Sequence, residues 1–204
     1  MQKGIFITFE GSEGSGKSTH IRFAASYFRK RGRRPLMIRE PGSTRSSEAI
    51  RRILLDPQNK KMGQATELLL YLAARAQLVE EKILPALKAG RVIISDRFED
   101  STLAYQGFGA GISRHTIESF SRFVRGSLKP DLTFILDIHP QKGLARGGRH
   151  DRVEKKSDAF HRRVRNGFLT LARQNKKRIV LLSTDKPVRE VQQQILKHLK
   201  RFYG

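Results

Sequence analysis

The chain predicts an α/β fold: a doubly wound, five-stranded parallel sheet with helices on both faces. Three observations carry that expectation. Short apolar runs alternate with longer segments of helical periodicity. A glycine-rich loop joins the first run to the first helical segment. The residues with chemistry to offer cluster just after the runs, where a parallel sheet binds its ligands.

Ile5–Phe9 is a continuous apolar run, the pattern of a strand buried on both faces. Gly11-Ser12-Glu13-Gly14-Ser15-Gly16-Lys17-Ser18 follows, then Thr19–Arg31, a helical pattern stopped by Gly32 as C-cap. Strand, glycine loop and helix in that order form the context of a P-loop, so the expected architecture is the P-loop NTPase fold. Pro35–Ile38 reads as the second strand and Ser46–Leu55 as the second helix, ended by Asp56-Pro57. Ala65–Ala89 is one long helical pattern stopped by Gly90, with Pro85 expected to kink or end it near Leu84. Further strands are expected at Val92–Ser95, Leu132–Asp137 and Ile179–Leu182, and further helices at Ser113–Arg125, Asp158–Asn175 and Val188–Phe202. Crossovers in such a sheet are right-handed. No internal repeat or low-complexity linker divides the chain, so residues 1–204 read as a single domain.

Composition narrows the chemistry. A length of 204 residues suits one α/β domain with a sizeable core. The chain has no cysteine, which excludes disulfides, zinc–thiolate sites and thiol catalysis. The six histidines are scattered without metal-ligand spacing. No charged-then-apolar leader precedes the first strand, and no apolar stretch approaches the ~18 residues that span a bilayer. The expectation is a soluble, cytoplasmic protein. Lys and Arg number 41 against 19 acidic residues, a formal net charge of +22. Such a balance suits a polyanionic partner. The basic residues fall instead at separate helix ends and exposed faces, without interleaved aromatics as stacking platforms. Steering of anionic nucleotides is a sufficient use for the field, and dedicated nucleic-acid binding is not expected.

The glycines of Gly11–Ser18 let successive backbone N–H groups face phosphate oxygens at a helix N-terminus. Lys17 is placed to reach the β and γ phosphates and Ser18 to ligate Mg²⁺, with Thr19 opening the helix behind them. The second loop is Arg39-Glu40-Pro41-Gly42. After the third strand, Asp96 is placed to hold Mg²⁺ beside Ser18, and Arg97 to clamp a phosphoryl acceptor or spread transition-state charge. A surface ion pair capping the strand is the plainer alternative for these two. Glu67, Tyr71, Arg75 and Leu78 share one helix face, which suits Tyr71 to stack on a planar base and Arg75 to bond its carbonyl edge. An aromatic at helical spacing is more often simple core, and on the spacing alone that is the favoured reading. Tyr105-Gln106-Gly107 offers sugar or base contacts, or merely a helix end. Segment Pro140–Lys156 is glycine-broken and arginine-rich over Gly143–Arg152, and is expected to be a short mobile lid. The P-loop itself carries no arginine, so a phosphoryl-transfer arginine is expected from that lid: Arg146, Arg149 or Arg152, with Arg149 preferred.

Taken together the loops resemble the thymidylate kinase family of nucleoside monophosphate kinases. The resemblance rests on Phe9–Ser18, Arg39-Glu40-Pro41-Gly42, Glu67–Tyr71 with Arg75-Ala76-Gln77, Asp96-Arg97-Phe98, Ser101–Gly107, Pro130-Asp131-Leu132-Thr133 and Asp151-Arg152-Val153-Glu154. It implies transfer of the ATP γ-phosphoryl group to dTMP, with Mg²⁺, in a homodimer. It further implies that Glu13 meets the sugar hydroxyl and Glu40 and Pro41 lie beside the acceptor phosphate and sugar. By the same resemblance Tyr71 would stack on the base, Arg75 would read its edge, and Arg97 would hold the dTMP phosphate with Asp96 near Mg²⁺. Ser101, Tyr105 and Gln106 then line the nucleoside pocket. The chain departs from the family pattern at Ser43, where a second glycine is usual, and at Tyr71, where phenylalanine is usual. Two rivals follow from the P-loop alone: another small nucleotide or deoxynucleoside kinase, and a basic ATPase that binds nucleic acid.

Overall fold

The computed structural model describes residues 3–147 and 151–203. Its sheet has five parallel strands in the order β2-β3-β1-β4-β5. These are β1 (Ile5–Glu10), β2 (Leu36–Arg39), β3 (Val92–Asp96), β4 (Leu132–Asp137) and β5 (Ile179–Ser183). The first strand is central, and the chain winds outward from it in both directions. That reversal opens a crevice beyond the carboxyl end of β1, flanked by the ends of β3 and β4. Register pairs Phe9 with Asp96 and Glu10 with Ile135, which sets the loops after β1 and β3 side by side.

Alternation along β1 explains its two faces. Ile5, Ile7 and Phe9 pack with α1 (Lys17–Arg29) and α9 (Val188–Tyr203) in one apolar cluster with Ile21, Phe28, Phe134 and Ile195. Phe6 points the other way, into a cluster with Leu78, Ile83, Ile93 and Phe98. Thr8 and Glu10 share the face of Phe6, so that face turns polar toward the crevice. The Thr8 and Thr133 hydroxyls bond at 2.7 Å, and the Arg178 Nη1 donates to Thr133 at 2.7 Å and to Asp100 at 2.8 Å. A third cluster, centred on Leu72, Tyr105, Val164 and Phe168, joins α3 (Gln64–Leu78) and α8 (Asp158–Gln174).

All five expected strands are present, each within a residue or two of its expected bounds. α2 (Arg45–Leu55) is capped by the Thr44 hydroxyl, which accepts from the Ser47 N–H. α6 (Arg114–Arg125) is capped in the same way by Ser113. The long third helix is not one α-helix. It runs as α3, a π-helical segment Val79–Ile83, and α4 (Leu84–Lys88). Pro85 offers no N–H and its ring crowds the carbonyl a turn earlier. The wider π turn just before it absorbs both, so of the kink or end expected near Leu84 the structure shows an irregular turn with the helix continuing beyond it.

Two helical stretches went unassigned in the sequence. Residues 99–109 form α5 (Glu99–Thr102) and a second π-helical segment, Leu103–Gly109. Ser, Thr and two glycines give this stretch poor intrinsic helicity. Packing on α8 holds it, with the Tyr105 ring against Phe160 and Phe168. Pro140–Gly147, expected as part of a glycine-broken loop, is helical and forms α7. Gly143 is there for close approach: a Cβ on it would stand 2.3 Å from the Glu13 carbonyl oxygen. A Cβ on Gly14, whose φ is +65°, would stand 1.9 Å from the Gly143 carbonyl oxygen. The helix backbone therefore rests directly on the P-loop. Residues 148–150, with the preferred lid arginine Arg149, lie outside the described residues.

Candidate functional site

The crevice is a cleft of about 510 Å³, bounded by the P-loop, the Glu40-Pro41 turn, α3, the end of β3, the 99–109 segment and the turn at Asp151–Glu154. Glu13 through Thr19 line it, with Gly11 and Ser12 buried behind. Gly16 precedes the first turn of α1 in a left-handed conformation, φ 82°, which turns the backbone into the helix. The Lys17 Nζ donates to the carbonyls of Gly11 (3.1 Å) and Ser12 (2.9 Å) and to the Ser15 hydroxyl (3.3 Å). Burial, and then the charge of Arg97, lower its pKa from the usual lysine range to about 8.

Arg97 ties three elements together. Its Nη1 donates to the Gly11 carbonyl at 2.9 Å and the Ser101 hydroxyl at 3.0 Å. Its Nη2 donates to Glu13 Oε1 at 3.1 Å and to the Tyr105 hydroxyl at 3.2 Å. The Tyr105 hydroxyl in turn donates to the same Glu13 oxygen. Glu13, Arg97, Ser101 and Tyr105, drawn from three separate stretches of sequence, are thus one hydrogen-bonded group. Burial pushes the Glu13 carboxyl up, but Arg97, Lys17 and Tyr105 outweigh it and hold the pKa below the ordinary value. Arg97 itself sits at φ 71°, an uncommon conformation for a residue with a side chain, which turns its guanidinium back over the P-loop.

A residue that the sequence reading passed over lies beneath this group. Glu10, fully buried, accepts from the Phe98 N–H at 2.8 Å and from the Ser101 hydroxyl. Ser101 is left with its lone pairs for Arg97. Burial and the neighbouring Asp100 carboxylate push the Glu10 pKa up to about 8. The only sequence signal was a carboxylate closing an apolar strand, which is unremarkable by itself.

The far wall of the cleft is built on α3. Tyr71 is half-buried, and Arg75, one turn on, is 2 % exposed. The Arg75 Nε donates to Glu40 Oε2 at 2.8 Å and its Nη2 to the Thr102 hydroxyl at 2.8 Å, with the guanidinium over the Phe98 ring. Burial works against that charge, and the Glu40 carboxylate more than offsets it, raising the pKa. The Arg75 Nη1 is buried without a hydrogen-bond partner. It is a buried, uncommitted guanidinium nitrogen on that wall. Gln106 also borders the cleft, and its Nε2 donates at 2.8 Å to the buried Glu67. The Glu40-Pro41 turn is held open by Ser43 at φ 73°, where glycine was the expected residue. The Ser43 N–H and hydroxyl compensate by bonding to Glu48 (2.7 Å) and to the Arg39 backbone. Arg51, not anticipated, borders the cleft and donates to the Pro41 carbonyl at 2.8 Å. Nothing in the pattern of α2 separates it from that helix's exposed basic residues.

Asp96 borders the cleft near Lys17, with Oδ1 buried and accepting no hydrogen bond. Ser18 is exposed on the same lining. Of the lid arginines, Arg146 on α7 reaches the lining. Arg152 does not: it pairs with Glu67 at 2.6 Å and donates to the Leu54 carbonyl at 2.9 Å, a structural role that removes it as a candidate for the phosphates. Asp151 also caps its own turn, accepting from the N–H groups of Val153 and Glu154 at 2.9 Å.

Comparison with known proteins agrees with this arrangement over almost the whole chain. The family model described as thymidylate kinase matches residues 9–195. A thymidylate kinase of Protochlamydia amoebophila is 43 % identical, the match covering 97 % of this chain and 93 % of that protein. One from Pseudomonas fluorescens (strain SBW25) is 48 % identical over 94 % of this chain and 93 % of its own. The crystal structure of thymidylate kinase from Ehrlichia chaffeensis superposes with a TM-score of 0.80 at 31 % identity, covering 97 % of this chain and 99 % of that one. The shared sequence, the shared fold and the phosphate loop set opposite an aromatic–arginine wall lead to one conclusion: the chain belongs to the thymidylate kinase family.

Proposed function

We propose that this cleft binds ATP and dTMP end to end and transfers the γ-phosphoryl group between them, giving ADP and dTDP. The observation that carries the reading is the cleft's polarity. A phosphate-binding loop forms one end, and a wall with an aromatic ring and an uncommitted arginine nitrogen forms the other. Gly14–Thr19 and Lys17 take the ATP phosphates. Tyr71 stacks on the thymine and Arg75 Nη1 donates to its edge. Glu13, Glu40 and Pro41 hold the sugar and acceptor end, with Ser101, Tyr105 and Gln106 completing the nucleoside pocket. The ionised Glu13 and the Tyr105 phenol fill the space beside the sugar, a steric ground for preferring deoxyribose.

The acceptor phosphate oxygen is already anionic, so no strong general base is required. Positioning and positive charge supply most of the rate enhancement. Lys17 and Arg97 flank the line between the two phosphates, and a further cation comes from Arg146 on α7 or from Arg149, which lies outside the described residues. Asp96, with a buried uncommitted oxygen, and the Ser18 hydroxyl suit Mg²⁺, which needs few protein ligands and keeps water and phosphate oxygens as the rest. When bound it would neutralise charge on the β and γ phosphates. A cytoplasmic location goes with this reading, since the enzyme draws on the ATP pool there.

The homodimer also belongs to this reading. Leu69 on α3 and Phe120 and Phe123 on α6 are 52 %, 44 % and 89 % exposed, on two helices that pack side by side. A second copy of the same face would cover them.

The reading is tested first by acceptor preference: with coupled ADP release, dTMP should far outpace dUMP, dCMP, dGMP and thymidine. An equal or better rate on any of these, or ATPase activity that depends on DNA instead, overturns it. Arg97→Ala should lower kcat on the order of 10³-fold at saturating dTMP, because one cation at the reacting phosphates is lost. Near-normal turnover would remove Arg97 from catalysis. The Lys17 proton gives a pH dependence with a definite sign. Its pKa of about 8 in the free protein rises when phosphates bind, so binding takes up a proton above that pH. ATP affinity should be flat from pH 7 to 8 and weaken above it, by at most about tenfold per pH unit for one proton. Titration calorimetry to pH 9.5 checks this, and an affinity that stays constant refutes it. Phe123→Glu should convert a dimer to a monomer by light scattering, and a variant that remains dimeric refutes the proposed face.

A further inference from the structure

We infer that Glu67 is a positioning residue that locks the amide of Gln106 with its carbonyl oxygen toward the cleft, so that the base slot selects a ring N3–H over a bare ring nitrogen. This rests on the reading of Gln106 as a base contact. It extends that reading to a residue that does not border the cleft.

The argument turns on an ambiguity built into glutamine. The two ends of its amide are nearly the same in size and shape, so packing alone does not decide which faces a ligand. A partner that can only accept does decide it. Glu67 is 3 % exposed and lies behind the wall, where Gln106, also 3 % exposed, reaches it with Nε2 at 2.8 Å. Arg152 at 2.6 Å and Lys156 at 3.2 Å hold the same carboxylate. Burial pushes the Glu67 pKa up, but the Gln106 hydrogen bond and the charges of Lys156 and Arg152 outweigh it, and the group stays ionised. A flipped Gln106 would set its own oxygen against a carboxylate oxygen in a buried site, an arrangement with two acceptors and no donor. Gln106 Oε1 is therefore the end left for the ligand.

Beside it the wall offers Arg75 Nη1, a buried donor without a partner. A fixed acceptor and a fixed donor match a pyrimidine edge that carries an N3–H and a 4-carbonyl, as in thymine and uracil. Cytosine presents the opposite pair, a bare N3 and a 4-amino group, and is mismatched twice. Glu67, Tyr71 and Arg75 sit at successive turns on one face of α3, so a single helix orients the stacking ring, the donor and, through Glu67, the acceptor.

The test is a double-mutant cycle read as the ratio of kcat/KM for dTMP to that for dCMP. In Glu67→Gln the one amide oxygen stays with Arg152 and Lys156, so the NH2 faces Gln106 and can only donate, which favours the flipped Gln106. The ratio should fall by about tenfold or more, through a higher KM for dTMP and a lower one for dCMP, with kcat for dTMP within about twofold of the parent. Glu67→Asp keeps the buried charge for Arg152 and Lys156 while drawing the carboxylate away from Gln106, and should relax selectivity in the same direction. It serves if the glutamine variant melts early. Gln106→Leu should also lower the ratio, and adding Glu67→Gln to it should change nothing further. An unchanged ratio in both Glu67 variants overturns the inference alone, as does an equal effect of Glu67→Gln with Gln106 already removed. An unchanged ratio in Gln106→Leu overturns the base-contact reading beneath it.

Discussion

The guanidinium of Arg97 joins the P-loop, the tip of β3 and the 99–109 segment, and the site exists as a unit because that junction is made. Its two terminal nitrogens reach a P-loop carbonyl, a P-loop carboxylate, a serine hydroxyl and a tyrosine hydroxyl. Coulomb attraction and directional hydrogen bonds act together in a poorly solvated place, where each is stronger than in water. The sheet makes the junction possible. Parallel register sets Phe9 beside Asp96, so the residues following each emerge at the same level. The left-handed turn at Arg97 then sends its side chain across, and the buried Glu10 fixes the serine that receives it.

Much of this was legible in the chain. The inner strands β1, β3 and β4, buried on both faces, read as largely apolar runs, and the edge strands β2 and β5 were found from short runs of the same kind. The P-loop, the Asp96-Arg97 tip and the Tyr71–Arg75 spacing fell in order on one edge of the sheet, and the structure brings them to one cleft. What escaped notice did so for physical reasons. Glu10 and Glu67 do their work through partners 88 and more, or 39 and more, positions away, and no local pattern encodes such a contact. Residues 99–109 are helical against their own propensity, because α8 supplies the packing. Gly143 reads as a loop former and is instead a place where two backbones touch. Arg152 read either as a lid cation or as part of a structural ion-pair segment, and its burial against Glu67 is the second of these.

The buried charges share a logic. Arg75 with Glu40 and Arg152 with Glu67 each bring a distant stretch of chain to or behind the wall of the cleft, and Arg178 with Asp100 ties the start of β5 to the 99–109 segment. Such pairs contribute little net stability, because desolvation offsets most of their attraction, but breaking one strands the other partner in the interior. Their effect is to fix geometry, so that the groups facing the ligand have no second arrangement of comparable energy. The remaining excess of positive charge lies largely on exposed positions outside these pairs.

The π-helical segment Leu103–Gly109 carries Tyr105 and Gln106, and a π turn amounts to one residue more than an α-helix of the same height needs. The segment therefore holds one residue more than a regular α-helix of the same height would. Loss of any one residue from it would let the backbone relax to regular α geometry. The side chains on one side of the gap would then swing by about 100° about the axis relative to those on the other. The Tyr105 hydroxyl and the Gln106 amide cannot both stay on the cleft after such a turn. A tolerant-looking stretch is in this sense fixed in length as well as in the side chains it buries.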